Sequence, residues 1–356
     1  GAGISGIGMA AHMEEMCPGK RYAILERRDN VGGTWDLFRY PGVRSDSDMH
    51  TLGFIFEPWR HEKSIADGPA ILDYLHRIVD ERGIRKKIRF GMCVETADFD
   101  SASARWIVTV VTGEGERKRL TANWLYLGSG YYDYDEPYDP GFDFGEFAGQ
   151  VVHPQFWPQD LDYSGKNVVV IGSGATAVTI VPSMSDKAAK VPRLQRTPTW
   201  MFSRPAKDAM ANFLRKILPE KLAYRLTRWK NITMQDFAFK MARNKPEKVK
   251  EGLHKRIRKS MGEDYDLAPF TPPYNPWDQR LCLILKQLNH LVEAALIIER
   301  RENGTWLKIH GMNSSHPLSK TVFSDLMMEP GFITRINGHN ADLLTELAGI
   351  KHGCFA

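Results

Sequence analysis

The sequence contains no C-x-x-C pair: its four cysteines, Cys17, Cys93, Cys282 and Cys354, lie far apart and offer no zinc spacing, so no metal is expected. This excludes disulfide-reductase chemistry, which needs a redox cysteine pair, and sets the expectation of a reducing, cytoplasmic setting. No run of about 18 apolar residues is present to span a bilayer, and the first residues lack the charged-then-apolar order of a secretory signal. An excess of one charge is missing too. The 48 basic and 43 acidic residues leave a net +5, too balanced to suggest nucleic-acid binding. Aromatic residues, by contrast, make up 11% of the chain, which suits flat ligands or a large core, and a length of 356 predicts two or more domains.

Glycine is grouped with purpose. Gly1, Gly3 and Gly6 form G-x-G-x-x-G ahead of a helix-compatible stretch at 9–16, an apolar segment at 22–25 and then Glu26. This spacing fits a dinucleotide fold. Glycines let a pyrophosphate reach the amides and dipole of a helix N-terminus, and the carboxylate accepts hydrogen bonds from a ribose. A flexible glycine turn is the alternative. Because the chain opens inside this motif, the first strand of the fold is expected to be absent.

From 167 the chain reads NVVVIGSGATAVTI, a buried-strand run followed by Gly172, Gly174, Thr176 and Ala177 in a G-x-G-x-x-A turn into a helix. Further on, where an NAD site carries a carboxylate, stand Arg196 and Thr197. A guanidinium there can take the 2′-phosphate of NADPH as a fork; the alternative for Arg196 is a surface ion pair. Two such folds imply one cofactor reducing another, FAD at the first site and NADPH at the second. Between them, 113–119 reads as a hairpin turn with a strand on each side.

Also between the glycine loops lies FAGQVVHPQFWP (147–158), in which Phe147, Gly149, His153, Trp157 and Pro158 fit F-x-G-x-x-x-H-x-x-x-W-P. Together with GGTWDLFRYPGVRSDSDMHTLGF (32–54) and PPYNPWDQRLCL (272–283), this resembles the Baeyer-Villiger monooxygenases of the flavin-containing monooxygenase superfamily, in particular the mycobacterial ethionamide-activating type. The resemblance covers about 1–283, and the tail departs from it. It implies an α/β fold of two dinucleotide-binding, Rossmann-like domains, the NADP domain inserted in the FAD domain, with a helical insertion. The expected boundaries are an FAD-binding domain at 1–135, the first part of the NADP-binding domain at 136–205, a basic helical insertion at 206–270, an active-site arginine segment at 271–285 and a divergent tail at 286–356. Within the tail, helices are expected at 286–300 and 342–350.

The resemblance implies FAD and NADPH as cofactors, with one oxygen atom of O2 delivered to a small lipophilic ketone, giving an ester or lactone, or to sulfur. Gly33, Thr34 and Trp35 join the FAD contacts. Asp46 is carried over as a carboxylate beside the flavin; a surface carboxylate in a polar turn is the alternative. Arg280 is carried over as the active-site arginine, a fixed cation that stabilises the anions of the reaction, oriented by Asp46. A structural ion pair, with Asp278 as local partner, is its alternative. The 147–158 motif takes a domain-coupling role: His153 has no part in proton transfer, and Trp157 and Pro158 pack the linker.

Two rival functions stay open. An N- or S-oxygenating flavin monooxygenase is disfavoured by Trp157-Pro158, and a non-catalytic nucleotide-binding remnant is suggested by the departing tail. Between 240 and 259, nine of twenty residues are Lys or Arg against Glu247 and Glu251. This reads as a solvated helix face, with peripheral contact to anionic lipid as the sharper alternative.

Overall fold

The computed structural model describes residues 1–139, 144, 147–195, 197–279 and 281–284, together with strand backbone at 297–298, 309–310 and 353–355. They form two compact units: Gly1–Phe38, Phe54–Glu57 and Asp67–Pro137 make the first, and Arg39–Gly53, Pro58–Ala66 and Tyr138–Ala356 the second.

In the first unit, α1 (Ile4–Met16) leaves the glycine turn and buries Ile7, Ala10 and Ala11. After it, β1 (Ile24–Leu25) leads into the short α2 (Thr34–Leu37). A second short helix, α3 (Met49–Leu52), belongs to the other unit. Asp67 caps α4 (Gly68–Glu81) by accepting from the Ala70 N–H at 3.0 Å. Ile71, Tyr74, Leu75, Ile78 and Val79 then recur at helical period and bury one face of α4, which stops where Gly83 takes φ +64°. The strand β2 (Ile88–Arg89) pairs in parallel with β1. An antiparallel sheet of β3 (Met92–Asp100), β4 (Arg105–Thr112) and β5 (Arg117–Ala122) completes the unit, with the predicted hairpin joining the last two.

In the second unit, β6 (Gln150–Val151), β7 (Asn167–Ile171) and β8 (Arg193–Leu194) belong to one parallel sheet. The helix α5 (Ala175–Met184) follows β7 and packs Val178, Val181 and Met184 into a core with Val168, Val170 and Phe270. A second parallel pair joins β9 (Trp200–Ser203) to β10 (Leu281–Ile284). Between them run α6 (Ala209–Ile217), α7 (Glu220–Asn244) and α8 (Pro246–Met261). Pro246 at the start of α8 and Gly262 at φ +111° just past its end bound that helix.

The segments 39–53 and 58–66, expected within a first domain of 1–135, cluster with the second unit instead. The cause is hydrogen bonding: Ser64 and Ile65 N–H groups donate to the Ala206 carbonyl at 2.8 and 3.0 Å, and α7 holds the region of α3. In the tail, the helix expected at 286–300 meets β11 (Ile297–Ile298), which pairs antiparallel with β12 (Ile309–His310). Two adjacent β-branched isoleucines favour the pleated backbone. Last, β13 (Gly353–Phe355) lies between β6 and β7, parallel to both. The helix expected at 342–350, and the return of the chain that an inserted domain requires, lie outside the described residues.

Candidate functional site

The first glycine loop is built by close backbone packing. A Cβ on Gly6 would lie 1.9 Å from the Gly1 carbonyl oxygen, and one on Gly1 would lie 2.5 Å from that of Gly128. Gly33, at φ +56°, faces Gly3: a Cβ there would come within 2.9 Å of the Gly3 Cα. Gly3 is the N-cap of α1; no side chain caps it and no acidic residue occupies the first turn. Glu26 is buried, and its carboxylate accepts from the Ala2 N–H at 2.6 Å and the Arg28 N–H at 2.9 Å. Thr34 and Trp35, both half-buried, open α2 directly after Gly33.

The second loop repeats this design in the other unit. Gly172 takes φ +144° after β7, and its N–H donates to the Leu194 carbonyl at 2.8 Å. Gly174 is the uncapped N-cap of α5, again with no acid in the first turn; Thr176 is half-buried and Ala177 buried in that turn. Thr197 is half-buried, while Arg196 lies outside the described residues.

The 147–158 motif clasps β7 from both faces. Phe147 packs on Val169, and Trp157 joins the cluster around Val168 and Val170. His153 is exposed, and its Nδ1 accepts from the Gln155 N–H at 3.2 Å to cap the turn Pro154–Phe156. That nitrogen must be unprotonated to accept, and partial burial holds the imidazole pKa below its ordinary value. Gly149 precedes β6 and Pro158 follows Trp157, both half-buried.

Asp46 is exposed and belongs to the second unit. Two residues before it, Arg44 donates from Nη2 to the Leu283 carbonyl on β10 at 2.8 Å. Burial pulls the Arg44 pKa down, and Asp46 is the first charge opposing that fall. The strand β10 begins directly after Arg280, so the two segments expected to supply the catalytic pair are joined here. Arg280 itself lies outside the described residues. Asp278, the suggested ion-pair partner of Arg280, is bound by Arg243 of α7.

Residues 63–253 match the model of the family described as flavin-binding monooxygenase-like, and 1–61 match an NAD(P)-binding Rossmann-like domain. The FAD-containing monooxygenase EthA of Mycobacterium tuberculosis is 44% identical over 98% of this chain and 73% of its own length. The chain belongs to the flavin-binding monooxygenase-like family. The EthA of Mycolicibacterium smegmatis is 51% identical over 80% of this chain and 58% of its own. Among solved structures, an oxidized steroid monooxygenase bound to NADP superposes with a TM-score of 0.65 at 22% identity, over 88% of this chain and 67% of that one; this likeness speaks to the fold.

The first loop of this flavin-binding monooxygenase-like chain fits a dinucleotide. The N-terminus of α1 is uncapped and lined by glycine, which leaves its amides to an anion. Each Glu26 oxygen takes one backbone donor, and a carboxylate has about four acceptor sites. Acceptor capacity is left for ribose hydroxyls.

Four features of this family member were not anticipated from sequence: the Arg44 link to β10, the buried Asp48, the fully buried Arg193, and Trp277 at φ +69°. The last is a conformation rare for bulky residues, three positions before Arg280. Only Arg193 left a local signal, as a charge between the inward positions Val191 and Gln195 of the β8 region.

Proposed function

We propose that this chain is an FAD- and NADPH-dependent monooxygenase that transfers one oxygen atom of O2 to a small lipophilic ketone in Baeyer-Villiger fashion, or to sulfur. The observation that carries this is the pair of uncapped, glycine-lined helix N-termini, α1 in one unit and α5 in the other. Bound FAD would supply the redox chemistry, as the carrier between NADPH and O2. The protein's own share is binding and charge. The amides of α1 hold the FAD pyrophosphate and Glu26 the ribose, with Gly33, Thr34 and Trp35 against the rest of the cofactor. The amides of α5 hold NADPH, whose 2′-phosphate is taken by Arg196 and Thr197. Arg280 supplies the fixed positive charge that stabilises developing anions, and Asp46 orients it.

The test starts with the visible absorption spectrum of the protein after incubation with FAD and gel filtration. A retained flavin band that bleaches with NADPH under anaerobic conditions is expected; a colourless protein that still binds NADPH would leave a nucleotide-binding remnant. Product analysis with a cyclic ketone and a thioether then separates ester formation from N- or S-oxygenation. Arg280→Ala is expected to keep flavin reduction and abolish oxygenation, and retained ester would remove Arg280 from its role. Arg196→Ala should raise KM for NADPH far more than for NADH.

A second reading concerns the basic stretch 240–259, which ends α7 and makes up most of α8. Leu253 and Ile257 face inward, so the apolar side of α8 is taken up within the protein: Lys248, Lys255, Arg256, Arg258 and Lys259 are all exposed, beside Glu247 and Glu251. Contact with anionic lipid through this face is therefore electrostatic. The protein should sediment with anionic vesicles at low salt and be released at 1 M, where the Debye length is about 3 Å. Retention at high salt would point to another surface. No described helix is long and apolar enough to cross a membrane.

A further inference from the structure

Asp48 is wholly buried, yet its hydrogen-bond partners among the described residues are all neutral. Its carboxylate accepts from the Thr51 N–H at 3.1 Å and hydroxyl at 2.9 Å, and from the side-chain amides of Asn231 and Gln235 on α7, each at 2.8 Å. Thr227 and Asn231 are the buried polar residues of this helix face, four positions apart. From the same face Arg228 donates to the carbonyls of His50, Thr51 and Gly53 at 2.8, 3.1 and 3.1 Å, so α7 grips both ends of α3. A buried carboxylate without a cation is expensive to maintain. What neutral amides supply in exchange is direction, since each bond holds only over a narrow range of angles.

The other end of the segment is fixed independently. Gly42, at φ +77°, sits so close to α5 that a Cβ would fall 1.9 Å from the Ser183 hydroxyl, and Arg44 is tied to β10. Asp46 therefore lies on a short arc, 44–48, anchored at both ends within the second unit.

We propose that Asp48, held by Asn231 and Gln235, is a positioning residue that sets where Asp46 presents its carboxylate. The inference rests on the proposed role of Asp46, and the experiment separates the two. In the full chain, Asn231→Ala with Gln235→Ala should accelerate amide hydrogen exchange at 51–53 and leave that of the β3–β5 sheet unchanged, with or without cofactor. In the flavin-loaded protein the same change should lower product formed per NADPH consumed about tenfold without altering KM for NADPH. Asp46→Ala should show the same uncoupling, and the three changes combined should be no worse than Asp46→Ala alone, because contributions made through one residue do not add. Asp48→Asn, which keeps one acceptor, should recover part of what Asp48→Ala loses.

Full product yield from Asp46→Ala would overturn the role of Asp46. A silent Asp46→Ala aside, wild-type exchange and yield in the α7 variant, or multiplied losses in the combined one, would overturn the positioning role. Should the double change prevent folding, Gln235→Leu removes a single amide from the outer end of the clasp and is read by the same two measurements.

Discussion

Arg193→Met is expected to stabilise the protein. Arg193 is fully buried at the start of β8, and among the described residues none of its guanidinium nitrogens has a hydrogen-bond partner. Burial pulls its pKa down to about 10, and the weak acids nearby, Cys282 and Tyr265, only partly oppose this. The drop from the ordinary guanidinium value corresponds to a cost on the order of 3 kcal/mol at neutral pH. A methionine fills much of the same space without a charge, and replacing buried ions by apolar side chains has precedent as a stabilising change. The melting temperature should rise by a few degrees, roughly 1–2 °C per kcal/mol for a chain of this length.

The pH dependence gives a second signature. Because the folded-state pKa lies below the unfolded one, the unfolded chain holds its proton more tightly, and stability should climb as pH rises from about 10 towards the ordinary guanidinium value. The difference between wild type and Arg193→Met should shrink across that window. A variant that melts lower than wild type, with an unchanged pH slope, would show that the guanidinium is compensated.

Gly6→Ala is expected to remove flavin while sparing the second nucleotide site. The new Cβ would meet the Gly1 carbonyl oxygen at 1.9 Å, and since that oxygen is backbone, no rotamer change relieves the clash. Overpacking of this kind costs about 1–3 kcal/mol, roughly a 5- to 150-fold loss of FAD affinity. NADPH binding, monitored by nicotinamide fluorescence, should persist because Gly172, Gly174 and Ala177 belong to the other unit. Wild-type flavin retention would mean that α1 can shift without harming the site; loss of both cofactors would mean that the first loop supports the whole fold.

The parts of the molecule legible in sequence were those whose cause is local. Both glycine turns, the hairpin between β4 and β5, and the packing role of Trp157 follow from contiguous residues. The strand β3 was hidden because Glu95, Asp98 and Asp100 interrupt its apolar alternation and a register shift lies between Val94 and Thr96. The transfer of 39–53 to the second unit was hidden for a different reason. It depends on Gly42 meeting Ser183, on Arg44 meeting Leu283 and on Asp48 meeting Asn231, and no local pattern encodes such distant partners.

The last of those contacts also sets an order of events during synthesis. Asn231 is 183 residues downstream of Asp48. At about 5–20 residues per second, the ribosome needs roughly 10–40 s to deliver the partner after the carboxylate has been made. Until then the arc 44–48 lacks its clasp on α7, and its other anchor, the Leu283 carbonyl that holds Arg44, is made later still, 239 residues downstream, so an N-terminal piece released by a cut near 137 would carry neither. High sequence separation of this kind is what slows folding, and it makes the placement of Asp46 one of the late steps by which this chain matures.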